Sequence, residues 1–61
     1  MNSLKFIRLY FSAPMHEQCI YKQQVEDLAG VERGTINIAL SVDDIVSDED
    51  LSAIVTVLKM L

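Results

Sequence analysis

The sequence predicts an α/β chain of order β-α-β-α, and three observations carry that reading. A run of aromatic and branched residues, Leu4 to Phe11, stops shortly before the only proline, Pro14. Residues 35–42 alternate large apolar side chains with small or polar ones, which is the period of a strand. Two further stretches, 16–29 and 47–61, carry apolar residues at helical spacing.

The first strand, over 4–11, is apolar almost throughout, broken only by Lys5 and Arg8. That suits a strand covered on both faces. The helix over 16–29 puts Tyr21, Val25, Leu28 and Ala29 on one stripe with Ile20 beside it. Glu17, Lys22, Gln23, Gln24, Glu26 and Asp27 fall largely elsewhere. Pro14 suits its first turn or the approach to it, and Gly30 is placed to end it. In the second strand Ile36, Ile38, Leu40 and Val42 share one face and leave the other small. The last helix has Ser47 as N-cap, with Asp48, Glu49 and Asp50 in the first turn; Ser47 and Asp50 make a loose capping box. Its apolar face is Leu51, Ile54, Val55, Leu58 and Leu61. A helix between two strands favours parallel pairing through a right-handed crossover.

Sixty-one residues make a single domain, 1–61, with no linker or repeat. A chain of this size is marginal alone. One cysteine excludes an internal disulfide, and no Cys/His cluster suggests a metal, so self-association is the remaining source of stability. Half the residues, 51%, are hydrophobic and the mean hydropathy is +0.27. Two strands make a poor free-standing sheet. The expectation is therefore a homodimer that completes the sheet, or a subunit of a larger assembly with a protein partner the sequence does not identify, with Ile36, Ile38, Leu40, Leu58 and Leu61 at the interface. Nine acidic against five basic residues give a net charge of −4, which opposes binding to nucleic acid or an anionic membrane. No apolar run reaches membrane-spanning length, the run at 4–11 is short for a signal-peptide core, and a lone Cys fits a reducing cytoplasm.

The segment Phe11-Ser12-Ala13-Pro14-Met15-His16-Glu17-Gln18-Cys19 resembles the active-site segment of the thioredoxin family, in which a strand leads through Cys-x-x-Cys into a helix. His16 stands where the attacking cysteine would be and Cys19 where the resolving one would be. The β-α-β-α order likewise resembles the N-terminal half of a thioredoxin-like domain, a half shared by glutaredoxins. The resemblance implies a thioredoxin-like fold used for protein contacts. Without the first thiol there is no two-thiol exchange, so no oxidoreductase turnover and no cofactor are expected. His16 and Cys19 are the candidate residues for any surviving one-cysteine chemistry or for half of a metal site completed by a second subunit. Against these stand plainer readings: Cys19 as a small, partly buried apolar residue and His16 as a first-turn histidine.

Two other resemblances compete. Val25-Glu26-Asp27-Leu28-Ala29-Gly30-Val31-Glu32-Arg33-Gly34-Thr35-Ile36 resembles the turn region of helix-turn-helix repressors of phage type, with Gly30 in the turn and Val31 and Ile36 buried. That resemblance implies a small DNA-binding regulator. It puts Glu26 where a small apolar residue is usual, at a desolvation cost, and Gly34 inside a helix, at about 1 kcal/mol relative to Ala. Gly30 to Ala39 is also similar to the Gly-Val turn and second strand of heavy-metal-associated domains. There the metal-binding Cys-x-x-Cys positions would fall near Pro14 and Glu17, out of register with Cys19.

Overall fold

Four α-helices and one 3₁₀ turn make up the chain in a computed structural model, which describes residues 2–16 and 18–61. The helices are α1 (Ser3–Tyr10), α2 (Cys19–Ala29), α3 (Thr35–Ser41) and α4 (Asp48–Met60), with the 3₁₀ turn at Pro14–His16. No strand occurs among the described residues. The expected β-α-β-α order is therefore corrected to all-α, and both expected strands are helices. The thioredoxin-like half-domain and the heavy-metal-associated sheet fall with them. So does a dimer formed by completing a sheet, since the described residues offer no strand edge to join.

The physical reasons are local. Over 4–11, Leu4, Ile7 and Phe11 recur at helical spacing; Ile7 and Phe11 are buried and Leu4 is half-buried. Asn2 is the N-cap, its Oδ1 accepting from the Lys5 amide at 2.7 Å. Over 35–41, two periods fit the same seven residues. Alternation groups Ile36 with Ile38 and Leu40, whereas the helix groups Thr35, Ile36 and Ala39, which are the residues actually buried.

The two helices expected from the sequence are present. α2 starts at Cys19, after Gln18, and Glu17 lies outside the described residues. It ends at Gly30 in the left-handed region (φ 74°), with Val31 N–H returning to the Glu26 carbonyl at 3.2 Å and Gly30 N–H to that of Asp27 at 3.3 Å. These are the paired bonds of a Schellman ending. α4 begins at Ser47, whose Oγ accepts from the Asp50 amide at 3.3 Å. Three acidic residues in its first turn complement the helix dipole.

The core is Ile7 and Phe11 from α1 and its C-terminal turn, Val25 from α2, Ile36 and Ala39 from α3, and Leu51, Ile54 and Leu58 from α4. Every helix contributes, so no helix can leave without exposing a fully buried side chain. Arg8 ties α1 to the end of α3: Nε donates to the Ala39 carbonyl at 3.3 Å, and the guanidinium pairs with Asp43 at 2.6 Å. The carbonyl bond satisfies one of the acceptors that a helix C-terminus leaves free. The ion pair is solvent-exposed and contributes little.

Candidate functional site: the α2–turn–α3 unit

Glu26 organises this unit. It is only 2% exposed, and one of its carboxylate oxygens carries two hydrogen bonds: Oε2 accepts from Gly34 N–H at 3.1 Å and from Ile36 N–H at 2.9 Å. Gly34 is the N-cap of α3 and has no side chain to cap it, so Glu26 does that work from the preceding helix. A negative group at a helix N-terminus is also favoured by the macrodipole. The desolvation cost expected for Glu26 is thus offset by two charge-assisted hydrogen bonds. Gly34 lies before the helix, at φ 95°, where glycine is the favoured residue, so the expected helix-interior cost does not arise.

The turn between the helices is fixed at both ends. Gly30 closes α2, and Thr35 Oγ1 donates to the Glu32 carbonyl at 2.6 Å as α3 begins. Val31 is half-buried and Ile36 fully buried. With Thr35, Ile36 and Ala39 turned inward, α3 leaves Asn37, Ile38 and Ser41 exposed. Lys22, one turn into α2, reaches across so that its Nζ donates to Asn37 Oδ1 at 3.1 Å. Arg33 is exposed in the turn, 3.6 Å from Asp27, and both side chains are largely in solvent. Such a pair is worth little, so Arg33 can exchange Asp27 for another anion at small cost. Lys22 thus sits beside Asn37 on the outer face of α3, and Arg33 lies in the turn that leads into it.

The residues expected at a reactive site lie elsewhere. Cys19 is exposed, not partly buried, as the first residue of α2; its Sγ accepts from Gln23 Nε2 at 3.3 Å. His16 is held by the fold: its ring stacks on Tyr10 at 4.2 Å and 10°, and Nδ1–H donates to the Tyr10 carbonyl at 2.9 Å. Tyr10 and Tyr21 share a short hydroxyl–hydroxyl hydrogen bond, which ties α1 to α2 beside Phe11. That bond, then burial and repulsion between the two phenols, push Tyr10 up from 10.0 to about 12. Among the described residues no three His, Cys, Asp or Glu side chains gather to hold a metal ion. Among the expected interface residues, Ile36 and Leu58 belong to the core of the single chain. Leu40 is half-buried, while Ile38 and Leu61 are exposed.

Sequence reasoning passed over Lys22, Arg33 and Asn37 as site residues, and Glu26 as their organiser. The available signal was the glycine pair, Gly30 and Gly34, bracketing a short turn after a helix. No helix among the described residues is long and apolar enough to cross a membrane. No family model, curated protein or solved structure matches the chain.

Proposed function

We propose that this chain is a small DNA-binding regulator of helix-turn-helix type, with α3 as the helix offered to the major groove. The observation that carries the reading is the Glu26 clamp: α3 is fastened to α2 on one side while Asn37, Ile38 and Ser41 stay open on the other. A seven-residue helix is too short to persist alone, so a recognition helix of this length needs such a fixture. Asn37 has the amide that pairs bidentately with adenine once Lys22 Nζ leaves its Oδ1, and Lys22 and Arg33 supply cations for phosphates.

Net charge counts against nucleic acid when it is spread over the whole chain, but the fold separates part of it. Five of the nine acidic residues, Asp43, Asp44, Asp48, Glu49 and Asp50, follow the C-terminal end of α3, and Glu26 is buried; Asp27 and Glu32 are exposed at the turn, beside Arg33, and lower the affinity. α3 is about 10 Å long, comparable to the Debye length at physiological salt, so its N-terminal end is partly screened from the acids at 43–50. Two cations per chain imply modest affinity and a shallow salt dependence, a log–log slope of about −2 per chain. A DNA-binding role calls for a reducing compartment that holds DNA, which the exposed free thiol of Cys19 suits.

Selection from a random duplex pool at low salt tests the reading. A shared sequence should be enriched, and Asn37→Ala should weaken binding to it tenfold or more while leaving binding to a scrambled duplex unchanged. No enrichment, or equal binding by Asn37→Ala and wild type, would overturn it.

A further inference from the structure

A second surface lies at the other end of α2, away from Lys22 and Asn37. The last turn of α2 and the last two turns of α4 enclose an open hollow of about 440 Å³. Its lining, which includes Leu28, Ala29, Ala53, Val57 and Met60, contains no charged residue, in a chain where 23% of residues are charged. Large apolar side chains stand out at it: Leu28 is 67% exposed, Met60 79% and Leu61 63%.

We infer that this face takes a second copy of the chain about a two-fold axis. Two observations select that occupant. The first is shape. Small half-buried residues, Ala29 and Ala53, leave the hollow, and long exposed ones, Met60 and Leu28, project beside it. A two-fold interface uses one patch on both partners, so the patch must hold both knob and hole; this one does. The second is charge. Two copies at −4 repel, and they meet at least cost on a face without charges. The acidic turn Asp48–Asp50 is at the start of α4, with Met60 about 15 Å further along, beyond the Debye length. A basic partner would instead be drawn to residues 43–50. A hollow with three projecting side chains is small beside the roughly 800 Å² per partner of a standard interface, so the dimer should be weak and in rapid exchange.

The outer face of α3 shares no residue with this patch, so the pairing holds whether or not the chain binds DNA. Sedimentation equilibrium at the concentrations used for NMR should report about twice the 6.9 kDa chain mass, with no loss of association as salt is raised. Met60→Glu should raise the dissociation constant at least tenfold. Ile45→Glu, which replaces another exposed apolar residue, outside the patch, by the same charge, should leave it within twofold. Circular dichroism establishes that each variant is folded. A mixed sample of labelled and unlabelled wild-type chains adds a test that needs no variant: filtered NOEs should join the Met60 methyl of one copy to Ala53 or Ala29 of the other. A wild-type monomer, a dimer weakened equally by both variants, or intermolecular NOEs confined to other residues would each overturn the inference.

Discussion

The carboxylate of Glu26 lies 2.9 Å from the amide of Ile36, and both residues are buried. The same residue's carbonyl accepts Val31 N–H at the end of α2. One side chain and its own backbone thus close one helix and open the next. Removing the carboxylate strands two amides, Gly34 and Ile36, at a buried helix start. Glu26→Ala should therefore cost about 3 kcal/mol or more, and Glu26→Gln, which keeps one acceptor without its charge, about 1–2 kcal/mol. Urea unfolding of the three proteins measures this. Equal midpoints would mean that the clamp contributes nothing.

The two glycines of the turn differ in role but share a backbone constraint. Gly30 has φ 74° and Gly34 φ 95°, and a Cβ at either would meet nothing within 4 Å. The cost of Ala is then conformational alone, about 1 kcal/mol at each position. Gly30→Asn should cost less than Gly30→Ala, because Asn tolerates the left-handed region. Thermal melts that rank Ala at or above Asn at position 30 would contradict the geometry.

What the sequence made legible was decided by length. α4, at thirteen residues with a Ser47 cap and three first-turn acids, declares itself; so does the body of α2 with Gly30 behind it. α1 and α3, at eight and seven residues, are too short for period 2 and period 3.6 to separate. The deciding signals at these two were capping groups. Asn2 is adjacent in sequence to the helix it starts and was readable. Glu26 caps α3 from ten residues before Ile36, a contact that only the folded chain brings together. The site was hidden for the same reason. Lys22 and Asn37 are fifteen residues apart and meet only once α3 is a helix docked on α2.

Asn2→Ala discriminates the two accounts of residues 3–10 directly. As a lost N-cap it should cost about 1 kcal/mol and reduce helicity, and Ser47→Ala should do the same for α4. A strand at 4–11 would be indifferent to residue 2. Amide exchange of Phe6 and Ile7 that is unchanged in Asn2→Ala would count against the helix.

The tyrosine pair makes stability depend on alkaline pH. Tyr10 is pushed up to about 12 by its hydrogen bond with Tyr21, by burial and by repulsion from Tyr21, against 10.0 unperturbed. Between those values the unfolded chain has lost this proton and the folded chain retains it. The contribution is therefore complete below pH 10 and is lost as pH rises through about 12. Ultraviolet titration of the phenolates should show one late transition, and Tyr21→Phe should bring Tyr10 back toward 10.0. A Tyr10 that titrates normally in the wild-type chain would contradict the pairing.

The central claim is that α3 is a helix held on α2 with its outer face free for a duplex. One NMR experiment tests it most directly: assigned spectra of the chain alone and on titration with the duplex recovered by selection. The free chain should give helical carbon shifts through Thr35–Ser41, and the duplex should perturb Lys22, Arg33, Asn37, Ile38 and Ser41 while sparing Leu28 and Met60. Extended shifts through those seven residues, or perturbations that avoid α3, would contradict it.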